Sequence, residues 1–158
     1  MLTVVLDNLR SKHNVGAIFR TADAVGVAQL ILCGTTPQPV DRFGRPVNEI
    51  HKTALGAESI VPYSYVTSTL EAVRTLQNQN IPVLAVEQAA AARNIMTLES
   101  QDLPYPAAFV FGNEIDGVDK AVLAASDDVL MLPMQGKKES LNVSVAVGAT
   151  LFLYHTKR

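Results

Sequence analysis

The sequence predicts an α/β domain: a mostly parallel sheet flanked by helices. Short apolar runs alternate with helical patterns along the whole chain. Polar, glycine-rich stretches fall where a strand pattern ends and a helical one begins, which is where such folds keep their sites. The 158 residues, 48% of them apolar, suffice for one core, so the expectation is a single domain over residues 1–158.

Taken in order, Leu2–Leu6 is the first strand. In the helix near 14–26, Val15, Ile18, Phe19, Ala22 and Val25 recur at helical spacing and face the sheet, leaving Gly16 and Arg20 together on an outward face. The strand Gln29–Cys33 runs into an irregular stretch, Gly34–Pro46, with three prolines, two glycines, Arg42 and Arg45. A helix near 47–54, a strand Ser59–Tyr63, a helix near 67–79 and a strand Pro82–Val86 follow. The strand Ala107–Phe111, a helix near 117–125 and the strand Val129–Leu132 complete the alternation. A second irregular stretch, Met134–Glu139, carries Gly136, Lys137 and Lys138. The last helix, near 141–155, is apolar around its whole axis, from Val143 and Val145 to Phe152 and Tyr154, and must be covered all round. The sheet on one side and a second copy of the chain on the other would cover it, so a homodimer through this helix is expected.

Composition excludes several chemistries. Cys33 stands alone, so there is neither an internal disulfide nor a multi-cysteine zinc site, and His13, His51 and His155 show no ligand spacing; nothing asks for a metal. Gly136-Lys137 lacks the flanking residues of a Walker loop, and Gly112 and Gly117 do not make a dinucleotide turn. No apolar run reaches membrane-spanning length and the N-terminus does not read as a secretory signal, so a soluble, cytoplasmic protein without a membrane partner is expected. The net charge of −2 hides an asymmetry: residues 1–52 carry +2, 53–136 carry −7 and 137–158 carry +3. A fold joining the two ends would make a basic patch on an acidic protein.

Three segments carry more Asn, Ser, Gly, Glu and Arg than their neighbours need: Asn14-Val-Gly-Ala-Ile-Phe-Arg20-Thr-Ala22, Phe111-Gly-Asn-Glu114-Ile-Asp-Gly117, and Leu132-Pro-Met-Gln-Gly136-Lys-Lys-Glu-Ser140-Leu-Asn142-Val-Ser144-Val-Ala146. Singly, Asn14 and Ser140 are ordinary helix N-caps. Gly112 and Gly117 are turn residues with positive φ, Glu114 a solvated loop acid, Arg20 a surface cation, and Lys137 and Lys138 a wet loop.

Together and in this order, the three segments resemble the three motifs of the SpoU, or TrmH-like, branch of the SPOUT methyltransferases, over Leu2 to His155. The third is the most specific, because a helix start does not require Ser-Leu-Asn-Val-Ser. The resemblance implies transfer of a methyl group from S-adenosylmethionine to a ribose 2′-hydroxyl of structured RNA, a C-terminal deep trefoil knot and a homodimer. It implies catalytic roles for Arg20, Asn14, Glu114, Ser140 and Asn142. Arg20 is either the general base or the group that binds the adjacent phosphate and polarises the hydroxyl; Glu114 orients Arg20 or a neighbouring amide. It implies a cofactor held by Val86, Gly112, Leu132, Ser140 and Leu141. RNA phosphates fall to Arg10, Lys12, Arg42, Arg45, Lys52, Lys137 and Lys138, the cations of the two basic ends. Small size with no separate RNA-binding domain resembles the minimal members of the family that act on tRNA, so the resemblance implies tRNA over rRNA as substrate. The alternatives are a non-catalytic knotted RNA-binding protein, a base-methylating relative, and an unrelated small-molecule-binding α/β domain.

Overall fold

The computed structural model describes residues 1–158. Seven strands form one parallel sheet: β1 (Leu2–Asp7), β2 (Gln29–Cys33), β3 (Tyr63–Val66), β4 (Val83–Val86), β5 (Arg93–Asn94), β6 (Ala107–Gly112) and β7 (Asp128–Met131), in the order β3-β2-β1-β6-β4-β7-β5. The helices are α1 (Lys12–Val25), α2 (Asn48–Ala54), α3 (Thr69–Asn78), α4 (Lys120–Ala125) and α5 (Val143–Thr156).

Successive strand residues point to opposite faces, and the sequence supplies apolar side chains to both. Val4, Leu6, Leu30, Leu32, Phe109 and Phe111 bury against α1, α2 and α5 in a core of 28 residues. Val5, Ile31, Cys33, Val83 and Val110 bury against α3 and α4 in a core of 12. Between these last two helices and the sheet lies one buried carboxylate, Asp7. It accepts from Thr69 Oγ1 (2.5 Å) and the Asp119 amide (2.8 Å), which pins both helix starts to the end of β1. Burial pushes the Cys33 thiol up to about 12, so it is no nucleophile.

Parallel strands need crossovers, and the crossovers decide where a cleft opens. After β1 the chain turns to α1 on one face; after its neighbour β6 it turns to α4 on the other. Adjacent strands whose exits diverge leave a crevice at their carboxyl ends.

Three expectations need correction. The strand at Ser59–Tyr63 is instead β3, beginning at Tyr63. Gly56 at φ +95° and the Glu58 carboxylate accepting the Gly56 amide make a 3-10 turn at Ala57–Ser59, and Pro62 has no N–H to give the ladder. Gly16 does not share the outward face with Arg20. It is buried where α1 meets α2, and a Cβ there would lie 2.0 Å from Thr53 Oγ1 and 2.4 Å from the Ile50 carbonyl. The helix caps are Ser11 for α1 and Asn142 for α5, not Asn14 and Ser140. The two-residue edge strand β5 escapes the sequence pattern, being too short to alternate. Arg93, paired with Asp102 and Asp128, ties it to β7. On α5, Val143, Val147, Leu151 and Tyr154 are buried, whereas Val145 and Phe152, one two-turn step apart, are 54% and 50% exposed. No helix is long and apolar enough to cross a membrane.

Candidate functional site

Beside this crevice, at the carboxyl ends of β6, β4 and β7, lies a cavity of about 450 Å³, in the size range of small-molecule clefts, walled by residues 86–88, 111–117, 132, 140–143 and 146. Three loops from separate parts of the chain, those after β4, β6 and β7, build it with the start of α5, so it exists only in the folded sheet. Two close approaches shape its wall. Gly112 packs so tightly on the next turn that a Cβ would lie 2.0–2.2 Å from backbone atoms of Gly117 and Val118, and Gly117 itself stands at φ +71°. Gly112 is therefore required by proximity rather than by positive φ. The turn is closed by paired backbone bonds of 3.1 Å between Asn113 and Gly117, and by the Asn113 carbonyl oxygen of the side chain accepting the amides of Ile115 and Asp116.

The residues of the three motifs meet along a chain of hydrogen bonds. Asn142 Nδ2 donates to Asn14 Oδ1 (3.1 Å), and Asn14 Nδ2 donates to Glu114 Oε1 (2.9 Å). Glu114 also accepts the amides of Arg10 and Ser11, both at 3.2 Å. Desolvation alone would push the Glu114 carboxyl up; the Asn14 side chain and these amides outweigh it and hold the carboxyl below its ordinary value. The Asn142 side chain simultaneously caps α5 through the Ser144 amide (2.9 Å). One linkage thus ties the β6 loop, the start of α1 and the start of α5.

Arg20 stands apart from this linkage. Glu114 orients Asn14 and two amides, not Arg20. Six residues along a helix place Arg20 about 9 Å further on and about 120° around from Asn14. It is exposed, and its side chain makes no hydrogen bond or ion pair within the chain. The five residues expected at a cofactor, Val86, Gly112, Leu132, Ser140 and Leu141, all line the cavity, as do Glu114 and Asn142. Among the expected RNA contacts, Arg10 pairs with Asp116 (3.4 Å), Lys12 with Glu49 (3.2 Å) and Arg45 with Asp41 (2.8 Å). Arg42, Lys52, Lys137 and Lys138 are exposed and join no ion pair.

The motifs did not point to residues 87–88. Glu87 accepts the Val118 amide (2.9 Å) and Gln88 Nε2 donates to the Leu132 carbonyl (2.6 Å), joining the loops after β4, β6 and β7. Their signal was positional, two polar residues directly after an apolar strand. Glu87, Glu114 and Asp116 line the cavity, and no Lys, Arg or His does. Arg10 already pairs with Asp116, but Glu87 and Glu114 meet no cation, and with the apolar side chains of the wall they suit a small molecule that carries positive charge.

Fold and cavity together define an α/β domain with a cavity of small-molecule size at the carboxyl edge of its sheet. The chain belongs to the SpoU rRNA Methylase family, whose model matches residues 1–152. It is 39% identical over 151 residues to the 23S rRNA (guanosine-2'-O-)-methyltransferase RlmB of Vibrio parahaemolyticus, covering 96% of this chain and 57% of that protein. To the RlmB of Nitrosomonas europaea it is 37% identical over 151 residues, 96% of this chain and 54% of that protein. The chain spans little more than half the length of these curated relatives. Among solved structures it is similar to an AdoMet-bound rRNA methyltransferase from Sinorhizobium meliloti, with TM-score 0.85 and 26% identity over 98% of this chain and 56% of that one. It is also similar to the TrmH/SpoU tRNA modifying enzyme of A. aeolicus, with TM-score 0.83 and 27% identity over 99% of this chain and 75% of that one. The names of these curated relatives state rRNA as their own substrate, where the resemblance had implied tRNA.

Proposed function

We propose that this chain transfers the methyl group of S-adenosylmethionine to a ribose 2′-hydroxyl of ribosomal RNA, on a guanosine as the curated relatives' names state for them. The observation that carries the reading is the cavity. Its apolar side chains suit an adenine, the Glu87 and Glu114 carboxylates, which meet no cation, suit a sulfonium, and Asn142 and Glu114 of its lining are joined through Asn14. When bound, the cofactor supplies an electrophilic methyl on sulfur. Val86, Gly112, Leu132, Ser140 and Leu141 would hold it.

The remaining task is to align a weak nucleophile and relieve it of its proton. A guanidinium is a permanent cation. Arg20 therefore binds the phosphate beside the target ribose and polarises the hydroxyl, whose proton passes to solvent. Glu114, bonded to Asn14 and to the α1 amides, keeps the first turn of α1 in register with the cavity. Arg10, Lys12, Arg42, Arg45, Lys52, Lys137 and Lys138 supply phosphate contacts on an otherwise acidic chain. A homodimer forms through the exposed Val145 and Phe152 of α5, the return of residues 132–142 makes the trefoil knot, residues 1–158 act as one catalytic domain, and the site of action is the cytoplasm.

The test uses purified protein, methyl-labelled S-adenosylmethionine, and separate rRNA and tRNA pools from cells lacking the gene, with labelled nucleosides identified after digestion. The expected product is 2′-O-methylguanosine from the rRNA pool; label in tRNA only, or on a base, overturns the assignment. Arg20→Ala should keep cofactor affinity and lose transfer by about 100-fold or more. Normal transfer by that variant refutes the role given to Arg20.

A further inference from the structure

The loop between β2 and α2 displays an aromatic ring that phosphate binding leaves unused. Phe43 is 66% exposed at the tip. The tip is nonetheless built. Val40 and Pro46 form an antiparallel bridge, the Asp41 amide donates to the Arg45 carbonyl (2.9 Å), and the Gly44 amide donates to the Asp41 carbonyl (2.9 Å). The Asp41 carboxylate accepts the amides of Phe43 (2.8 Å) and Arg45 (2.9 Å). Gly44 makes the turn at φ +76°. A ring held out in water by so many bonds is preorganised, so binding through it costs little ordering.

Two guanidinium groups lie over this ring, Arg42 at 4.7 Å and Arg45 at 5.0 Å from its centroid. They are not equivalent. Arg45 is pinned by Asp41 through Nε and Nη2, both at 2.8 Å, whereas Arg42 has no ion-pair partner besides the ring. Arg42 is thus a cover that can move, and Arg45 a cation that stays.

We propose that Phe43 is a stacking platform for an unpaired base of the RNA substrate, taken when Arg42 swings from the ring to the phosphate of that nucleotide. The proposal rests on the RNA methyltransferase reading above. A flat base replaces a flat cation over the same ring, and the displaced charge remains beside the backbone. The position fits. β2 pairs in parallel with β1, Asp7 opposite Cys33, so the loop leaves the sheet at the same edge as the cavity. The Lys12–Glu49 pair (3.2 Å) ties the first turn of α2 to that of α1. A ring between two cations suits a polyanion with flat bases better than it suits an apolar protein surface.

The chain has no tryptophan, so Phe43→Trp introduces a single indole at the tip, which is excited at wavelengths where tyrosine does not absorb. Titration with a short oligouridylate, and with the methylated RNA, should quench it as a base stacks. In steady-state methylation, Phe43→Ala should raise KM for RNA about 5- to 100-fold, with kcat and S-adenosylmethionine affinity unchanged, and Phe43→Tyr should restore it. A Phe43→Ala variant with unchanged KM would leave the ring to some other partner and overturn the platform, as would an unquenched Phe43→Trp variant that still methylates RNA. Wild-type protein that labels no RNA fails the methyltransferase reading itself, a result distinct from either.

Discussion

Gly112→Ala should close the cavity from one wall, and the structure sets the size of the effect. The new Cβ would lie 2.0–2.2 Å from the Gly117 carbonyl carbon and oxygen and the Val118 nitrogen. These are backbone atoms, so no change of rotamer relieves the contact. Restoring the 3.4 Å of ordinary contact requires the 117–118 backbone to retreat by about 1.4 Å. That backbone is held by the Val118 amide bond to Glu87 (2.9 Å) and the paired Asn113–Gly117 bonds (3.1 Å), and it carries Asp116 and Glu114 with it. Overpacking of this kind costs about 1–3 kcal/mol, or about 2–12 °C of Tm in a chain of this length. The assay is thermal denaturation with and without S-adenosylmethionine, supported by titration calorimetry. At about 100 times Kd a ligand stabilises the folded state by about 2.7 kcal/mol, so the wild-type Tm should rise by about 5–10 °C. In Gly112→Ala that rise should vanish. Gly136→Ala, where nothing lies within 4 Å of the new Cβ, is the control and should match the wild type. A Gly112→Ala protein that binds the cofactor with unchanged affinity and melts within about 1 °C of the wild type would refute the reasoning.

Three further outcomes are expected. Asn142→Ala should cost about 1 kcal/mol through the lost α5 cap and also reduce methyl transfer; Asn142→Asp keeps the cap but cannot donate to Asn14, so its melting temperature should recover while its kcat stays low. Glu114 binds its proton more weakly folded than unfolded, so its stabilising contribution is complete above the ordinary value of 4.5 and is lost as pH falls through the lower folded value. Its exposure keeps that contribution below about 1 kcal/mol; urea unfolding of wild type and Glu114→Gln should converge in acid, and a gap independent of pH would refute the assignment. Val145→Asp with Phe152→Asp should convert a dimer into a folded 17.0 kDa monomer in sedimentation, with circular dichroism retained; a wild-type monomer at micromolar concentration would remove the interface.

The parts legible in the sequence were the local ones. Alternating burial is written into each strand, Val4 and Leu6 to one face and Val5 to the other, because the pleat repeats every two residues. The same holds for the inward stripe of α1 and for the polar segments after β1, β6 and β7, since a site residue in this fold follows the end of its strand. Local pattern failed where the decisive partner was remote or the element too short. Glu58 turns back on Gly56 to make a 3-10 turn where an apolar run read as strand. Gly16 is needed by α2, an element invisible from the periodicity of α1.

By itself, then, the sequence determined the secondary-structure rhythm, both buried faces of the sheet and the identity of the three motifs, because each depends on neighbours a few residues away. The tertiary structure decided the strand order, the recruitment of Glu87 and Gln88, the bonding of Glu114 to Asn14 rather than Arg20, and the exposed ring of Phe43. Those depend on pairings as distant as Asn14 and Asn142. Strand periodicity states which face a residue takes, but only the packed sheet brings three separate loops to one cavity.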